Sequence, residues 1–377
     1  MYYFDNAATT PVRSEAVQAA VEAMERDWGN PSSRCTKGEQ AAARLKGWRE
    51  DVAGALGCQA QELAFTSCGT ESNNWAIRGA AELARRKGRH IITDALEHAA
   101  VLEPCRELER QGYEVTRLQP DRGGNLSLEA FRKALRPDTV LVSVMLVNNE
   151  LGTVNPVDQF SAAVRQAGCP ALVHCDAVQG FLKLPFTPQG LGVDLLSVSG
   201  HKVHAPKGIG ALYIRRGLKL PPLLLGGGQE EGRRSGTEAT AQIAAFAAAV
   251  RAGRQTLDRD LDHMAQLKAY AIARLALVPG LKPLTQGGAP HILPVTMPGY
   301  QSEVLVRFLA DRDICLSSGS ACHKGRPSHV FAALNLPKPE RDGVLRISFS
   351  PENTPAEVDA LADGLKAAHA QLFPSMS

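Results

Sequence analysis

The sequence predicts an α/β fold: a mainly parallel, mixed sheet in a large domain, joined to a smaller α+β domain. Three observations carry that expectation. Between about residues 60 and 215, short β-branched runs alternate with helical patterns, as in a parallel sheet covered by helices on both faces. The last two runs are separated only by "GHKVHAPKGI", too short for a crossover helix, so at least one strand runs antiparallel. After a long helical stretch the pattern changes to a few strands and helices, which read as a second unit.

The expected strands are "ELAFT" (62–66), "HIITD" (90–94), "TVLVSVM" (139–145), "ALVHCD" (171–176), "DLLSVS" (194–199) and "GALYIR" (210–215), each bounded by turn residues. The glycine cluster "GGGQEEGRRSG" lacks the strand–GxGxxG–helix order of a dinucleotide site and reads as a loop. Residues 235–275 read as helical, their middle bridging the two domains. The division is therefore 15–257 for the large domain, and 1–14 with 258–377 for the small one. The small domain takes the strand "HILPVTM", the helix "SEVLVRFLADRD", a strand leading into "CLSSGS", the strand "VLRISFS" and a final helix. That helix carries an entry signal: Thr354 as cap, Pro355 at the first position and Glu357 completing a capping box.

With 377 residues the chain exceeds the size at which one core stops growing, roughly 250–300 residues. No segment approaches the run of about 20 apolar residues that spans a bilayer, so no membrane is expected. The start "MYYFDNAATT" has neither a basic leader nor an apolar core, which places the protein in the cytoplasm. A net charge of +3, with Lys and Arg scattered, argues against nucleic acid as a partner. Eight cysteines without a CxxC pair argue against disulfides and a zinc site, so separate thiols and no metal are expected.

Ligands of α/β sheets bind beyond the carboxyl ends of the strands, and here five such ends are unusually polar. They deliver Gly69 and Thr70, His98, Asn148 and Asn149, Asp176 and Gln179, then Ser199, His201 and Lys202. Singly, each has a structural explanation. "SCGTES" is either a turn with a helix cap or an anion site at a helix N-terminus. Asp176 either caps a helix or partners a buried cation such as a protonated ring nitrogen. His98 alone reads more readily as a satisfied surface histidine, whereas Lys202, between a strand and "APKG", suits a Schiff-base amine. Together they add up to a pyridoxal 5'-phosphate site. Far along the chain, "SSGSACHKGRPSHV" (317–330) sets Cys322 among small and polar residues, followed by His323, Lys324 and Arg326. These cations would favour the thiolate, unless they form only a solvated basic turn.

"DNAATTPV", "GNPSS", "FTSCGTESNN", "EHAAVLEP", "VNNELGTV", "HCDAVQG", "SGHKVHAPKGIGALYIRR", "GRRSGTE", "SSGSAC" and "PSHV" together resemble the NifS/IscS group of cysteine desulfurases, in order along almost the full chain. The likeness is closer to the NifS-type pattern than to the SufS-type branch. It implies a fold-type I pyridoxal phosphate transferase that converts L-cysteine to L-alanine. By the same resemblance, Lys202 would bind the cofactor covalently and move the substrate α-proton. Asp176 would keep the ring nitrogen protonated, Gln179 would bond the phenolic oxygen, and His98 would stack on the ring and assist proton transfer. Asn149 would position cofactor and substrate. Gly69, Thr70, Ser199 and His201 would hold the phosphate, with Thr237 reaching it from a second subunit of a homodimer. Arg346, assisted by Asn30, would grip the substrate carboxylate. Cys322 would take the sulfur as a persulfide and pass it to sulfur-acceptor or scaffold proteins, in iron–sulfur cluster assembly or thiolation.

The sequence departs from the family in two places. "HKGR" after Cys322 is about two residues shorter than the usual stretch, and Cys35 stands where relatives often carry histidine. Two rival readings stay open at this point. One is a selenocysteine lyase or related lyase, which need not depend on Cys322; the other is a catalytically idle scaffold, against which the full set Lys202, Asp176, His98 and Cys322 argues.

Overall fold

A computed structural model describes residues 1–285, 287–319 and 328–374 of the chain. β1 (Tyr2–Tyr3) opens it, followed by the seven strands of the main sheet. These are β2 (Leu63–Thr66), β3 (His90–Asp94), β4 (Glu114–Leu118), β5 (Thr139–Ser143), β6 (Leu172–Asp176), β7 (Leu195–Ser199) and β8 (Gly210–Ile214). Their order across the sheet is β2-β8-β7-β6-β5-β3-β4. Only β8 runs against its neighbours, pairing antiparallel with both β2 and β7, so the short "GHKVHAPKGI" connection turns the chain back as expected.

β4 was absent from the sequence reading. It is an edge strand whose first four residues are at least partly exposed, and its Glu114 and Arg117 hide the apolar run by which a buried parallel strand is recognised. A polar clasp holds β3 to both its neighbours: the ring of buried His90 meets Thr139 Oγ1 on β5 and Thr116 Oγ1 on β4, each at 2.8 Å.

The remaining strands are β9 (Lys282–Pro283), β10 (Ile292–Thr296), β11 (Ile314–Cys315) and β12 (Val344–Ser348). β12, β10 and β9 form an antiparallel sheet, while β11 pairs with β1. The long helical stretch divides at Thr256 into Thr240–Gln255 and Leu257–Leu275. Ile243, Phe246 and Val250 of the first helix pack in the same apolar cluster as Val142, Leu196 and Val198 of the main sheet. Met264, Leu267 and Leu275 of the second pack with Leu293, Ile347 and Leu361. The final helix, Pro355–Gln371, starts on the expected capping box, with Thr354 N donating to Glu357 Oε2 at 2.8 Å.

The N-terminal segment ties the two clusters together: Phe4 is buried in one and Ala7 in the other. Ser348 of β12 clamps it, accepting from Ala7 N at 2.9 Å on its hydroxyl and from Asn6 Nδ2 at 3.0 Å on its carbonyl. Among the described residues no helix is long and apolar enough to cross a membrane.

Candidate active site

At the carboxyl ends of β2, β3, β5, β6 and β7 the structure holds a pocket of about 250 Å³. It brings together Gly69, Thr70, His98, Asn149, Asp176, Gln179, Ser199, His201 and Lys202, and adds Arg346 from β12. A wider groove of about 960 Å³ runs near Leu172, Asp194 and Arg215 at the opposite ends of the strands, away from these groups.

The turn after β2 leads straight into the helix Gly69–Ala84. Cys68 precedes it in extended conformation with no side-chain cap, so of the two readings of "SCGTES" a side-chain helix cap is not the one realised. A Cβ on Gly69 would lie 2.8 Å from Val178 Cγ2 and 3.3 Å from the Ser199 Cβ; glycine is what keeps this corner open. Ser199 Oγ is buried there without a hydrogen-bond partner among the described residues. A helix N-terminus, an open corner and an unpartnered hydroxyl suit a phosphate.

Asp176, at the end of β6, is fixed twice. Its Oδ1 accepts from Val178 N at 2.9 Å and its Oδ2 from Asn73 Nδ2 at 2.6 Å. Gln179 Nε2 donates to the Ala7 carbonyl at 2.8 Å. Lys202 Nζ donates to the carbonyls of Ala7 and Ala8 at 2.8 and 2.7 Å, so the N-terminal segment holds this amine at the pocket. His201 reaches Thr9 Oγ1 at 3.2 Å, and burial, reinforced by Lys202 and other nearby lysines, pushes its imidazole down to about 3. His98 precedes the helix Ala99–Arg110 and accepts from Ala100 N on Nδ1 at 3.0 Å. In the neutral ring, that leaves the proton on Nε2.

The structure separates two asparagines that look alike in sequence. Asn148 shapes its own turn, its Oδ1 accepting from Glu150 N and Leu151 N at 2.9 and 2.8 Å, whereas Asn149 lines the pocket. Arg346 is 1% exposed; Nη1 donates to the Asn149 carbonyl at 2.9 Å and Nη2 to Asp5 Oδ1 at 2.8 Å. Its Nε has no partner among the described residues, leaving a buried donor for an incoming anion.

Asn30 and Thr237 are exposed and do not line the pocket; Asn30 Oδ1 accepts from Ser32 N at 2.9 Å. Cys322 lies outside the described residues, as do His323, Lys324 and Arg326. The residues flanking them are moored beside the pocket. Ser317 exchanges backbone bonds with Arg346 at 2.7 and 3.4 Å, and His329 Nε2 meets the carbonyl of Glu97, the neighbour of His98, at 2.9 Å.

Sequence reasoning missed Asn73 and the carbonyls of Ala7 and Ala8. Asn73 follows Gly69 by one helical turn in "GTESN" and so shares its face, a signal that was available. Backbone carbonyls leave none. The donor set fits pyridoxal 5'-phosphate: an amine, a fixed carboxylate for a ring nitrogen, and an open corner with an unpartnered hydroxyl for a phosphate.

Comparison with known proteins agrees. Residues 2–361 match the class-V aminotransferase family. The chain is 40% identical over 367 residues to a cysteine desulfurase IscS of Methanosarcina thermophila, covering 96% of this chain and 90% of that protein. It is 41% identical over 368 residues to a cysteine desulfurase of Trichormus azollae, covering 96% and 91%. A solved NifS-like protein superposes with a TM-score of 0.93 at 36% identity, covering 98% of this chain and 99% of that one. The chain belongs to the class-V aminotransferase family and, within it, to the NifS/IscS group of cysteine desulfurases.

Proposed function

We propose that this pocket is where the desulfurase converts L-cysteine to L-alanine, and that Cys322 takes the sulfur as a persulfide. The observation that carries the reading is the convergence of Lys202, Asp176, His98 and Arg346, from separate parts of the chain, on one cavity. Pyridoxal 5'-phosphate, the cofactor of the family, supplies an electron sink for the substrate carbons when bound.

The chain's own residues do the rest. Gly69, Thr70, Ser199 and His201 hold the phosphate. Asp176, fixed by Asn73 and Val178, keeps the ring-nitrogen proton in place, and Gln179 and Asn149 orient the ring and the substrate. Arg346 binds the substrate carboxylate, with Asn30 assisting. Lys202 takes the α-proton and His98 assists proton movement. The Cys322 thiolate then bonds to the substrate sulfur as the carbon–sulfur bond breaks; the bonding pair stays on the β-carbon, which is protonated, and Lys202 returns a proton to the α-carbon to give alanine.

A homodimer is part of this reading. Thr237 is exposed outside its own chain's pocket, as expected of a residue that serves a neighbour. The helix Ser14–Arg26 exposes Val17, Val21 and Met24, and Trp28 just beyond it is exposed as well; an apolar stripe of this kind suits a subunit contact. The division into 15–257, and 1–14 with 258–377, belongs to the same reading; it is supported by the packing of Ile243 and Phe246 with the main sheet and of Met264 and Leu267 with Leu293 and Ile347. The persulfide would pass to sulfur-acceptor or scaffold proteins. The described cysteines are all free thiols, which supports a reducing compartment such as the cytoplasm.

Alanine formation from L-cysteine tests the reading. Wild type should form it, and Cys322→Ala and Lys202→Ala should not. Full activity in Cys322→Ala would point to a lyase that needs no thiol and would overturn the assignment.

A further inference from the structure

The turn assigned to the phosphate carries an acid. Glu71 stands next to Thr70 in the first turn of the helix Gly69–Ala84, and its Oε2 accepts from Ser67 N at 2.8 Å. That bond folds the carboxylate back over the turn after β2 and shapes it. Electrostatically the same carboxylate works against the site. It offsets the positive field of the helix N-terminus and repels an incoming phosphate.

Arg234 meets that charge from a distant part of the chain. Its Nε donates to Glu71 Oε1 at 2.8 Å and its Nη2 to Glu71 Oε2 at 3.1 Å, the two-pronged pairing that suits a guanidinium. The two side chains are 20% and 11% exposed, so solvent screens the pair only in part. Burial alone would raise the Glu71 carboxyl, but the bonds from Arg234 and Ser67 hold it below the ordinary carboxylate range. The bond to Glu71 in turn raises Arg234, and both partners carry their charge near neutral pH.

The loop that brings Arg234 here does so against its local preferences. Glu230 and Glu231 sit at φ of 51° and 58°, a region that side chains of this size avoid. Buried Glu230 accepts from Arg49 Nη1 and Nη2, each at 2.7 Å, and from Phe65 N of β2 at 2.9 Å. The loop is thereby fastened to the strand that leads into the phosphate turn. Glu230 is matched by Arg49 and Glu231 by Arg233 at 3.6 Å; Glu238 lines the cavity beside Arg234, and Glu71 is the acid that Arg234 bonds.

We propose that Arg234 is a positioning residue for the cofactor: by neutralising Glu71, it lets the turn after β2 keep the carboxylate that shapes it and still accept a phosphate. Neither Arg234 nor Glu71 lines the pocket, so Arg234 acts through Glu71 and the turn. The proposal rests on the reading of the corner at Gly69 and Ser199 as the phosphate site.

The test is cofactor binding by the full chain freed of cofactor, followed by visible absorbance, with pyridoxal, which lacks the phosphate, as the second ligand. In Arg234→Gln the Kd for pyridoxal 5'-phosphate should rise by about tenfold or more, the order expected of one unneutralised charge near a dianion, while the Kd for pyridoxal stays at its wild-type value. Adding Glu71→Gln to Arg234→Gln should restore tight binding, because the charge is then gone and the amide oxygen still accepts from Ser67 N. An unchanged Kd for pyridoxal 5'-phosphate in Arg234→Gln overturns the proposal. So do equal rises for the two ligands, or a double variant as weak as the single one, since either assigns the effect to the shape of the loop rather than to charge. Arg234→Met, with the same pair of ligands and the same second substitution, replaces Arg234→Gln if that variant does not fold. Wild type checks the underlying reading separately: pyridoxal bound as tightly as pyridoxal 5'-phosphate would remove the phosphate site whatever the variants do.

Discussion

Asn73 Nδ2 lies 2.6 Å from Asp176 Oδ2, a contact made across 103 residues and buried on both sides. It ties the carboxylate that ends β6 to the helix that opens at Gly69, and so links the proposed ring-nitrogen and phosphate ends of the pocket. Replacing Asn73 by alanine leaves a buried carboxylate oxygen without its donor, a loss of about 1–3 kcal/mol, or roughly 10–100-fold where it falls on the rate. Asn73→Ala should lower kcat for alanine formation by that order with an unchanged circular dichroism spectrum. Unchanged kcat would mean that the contact is only structural.

Gly69→Ala should weaken cofactor binding. The new Cβ would meet Val178 Cγ2 at 2.8 Å and Ser199 Cβ at 3.3 Å, closing the corner proposed for the phosphate. A cofactor Kd raised by about tenfold or more, roughly 1.4 kcal/mol, is expected from titration of the cofactor-free protein by visible absorbance. An equal Kd would place the phosphate elsewhere.

Arg346→Lys should raise KM for L-cysteine more than it lowers kcat. Lysine keeps the charge but not the planar fork that bonds the Asn149 carbonyl and Asp5 together, and exchange at such a site is not conservative. An increase of about 10–100-fold in KM corresponds to roughly 1.4–2.7 kcal/mol of lost binding. Steady-state kinetics settle it: an unchanged KM would remove Arg346 from substrate binding.

Stability should fall as the medium turns acid. His174, wholly buried between Ser143 Oγ at 2.8 Å and Ser197 Oγ at 3.0 Å, is pushed down to about 3 by burial. Its value in the unfolded chain is about 6.5. Between these two pH values the unfolded chain binds the proton and the folded chain does not. Stability is therefore fully present above about pH 6.5 and declines below it, by at most about 1.4 kcal/mol per pH unit for this group. His201 and His204, at about 3 and about 4, add in the same sense. Asp94, pushed up to about 7 by burial, acts oppositely between about pH 4 and 7, so the comparison is made against a variant. Urea unfolding of His174→Asn should show a shallower loss than wild type between pH 6.5 and 4, whereas parallel curves would contradict the assignment.

The strands of the main sheet that lie inside it, and the polar residues that follow them, were legible because buried parallel strands are continuous apolar runs and their ends are abrupt. β4 was not, since its first four residues are at least partly exposed and two of them are charged, whereas β2 at the other edge is buried throughout and reads as an apolar run. Asp176 and Lys202 could be named from sequence; of their supports only Asn73 left a signal there, the helix face that it shares with Gly69. Lys202 is held by carbonyls of Ala7 and Ala8, groups present in every residue, and Asn73 is distinguished from Asn74 only by the face of the helix it occupies. Arg346 was legible as a motif residue; that its Nε has no partner among the described residues emerges only from packing. Asn148 and Asn149 show the limit most directly, because adjacent identical residues take a turn-forming and a pocket-lining place.

The most direct test of the account is to locate the sulfur. The holoenzyme is incubated with L-cysteine, quenched by alkylation, and its peptides are mapped by mass spectrometry. One added sulfur is expected on Cys322, absent without substrate and absent in Lys202→Ala. Sulfur on another cysteine, such as Cys35 or Cys68, with Cys322 unmodified, would contradict it.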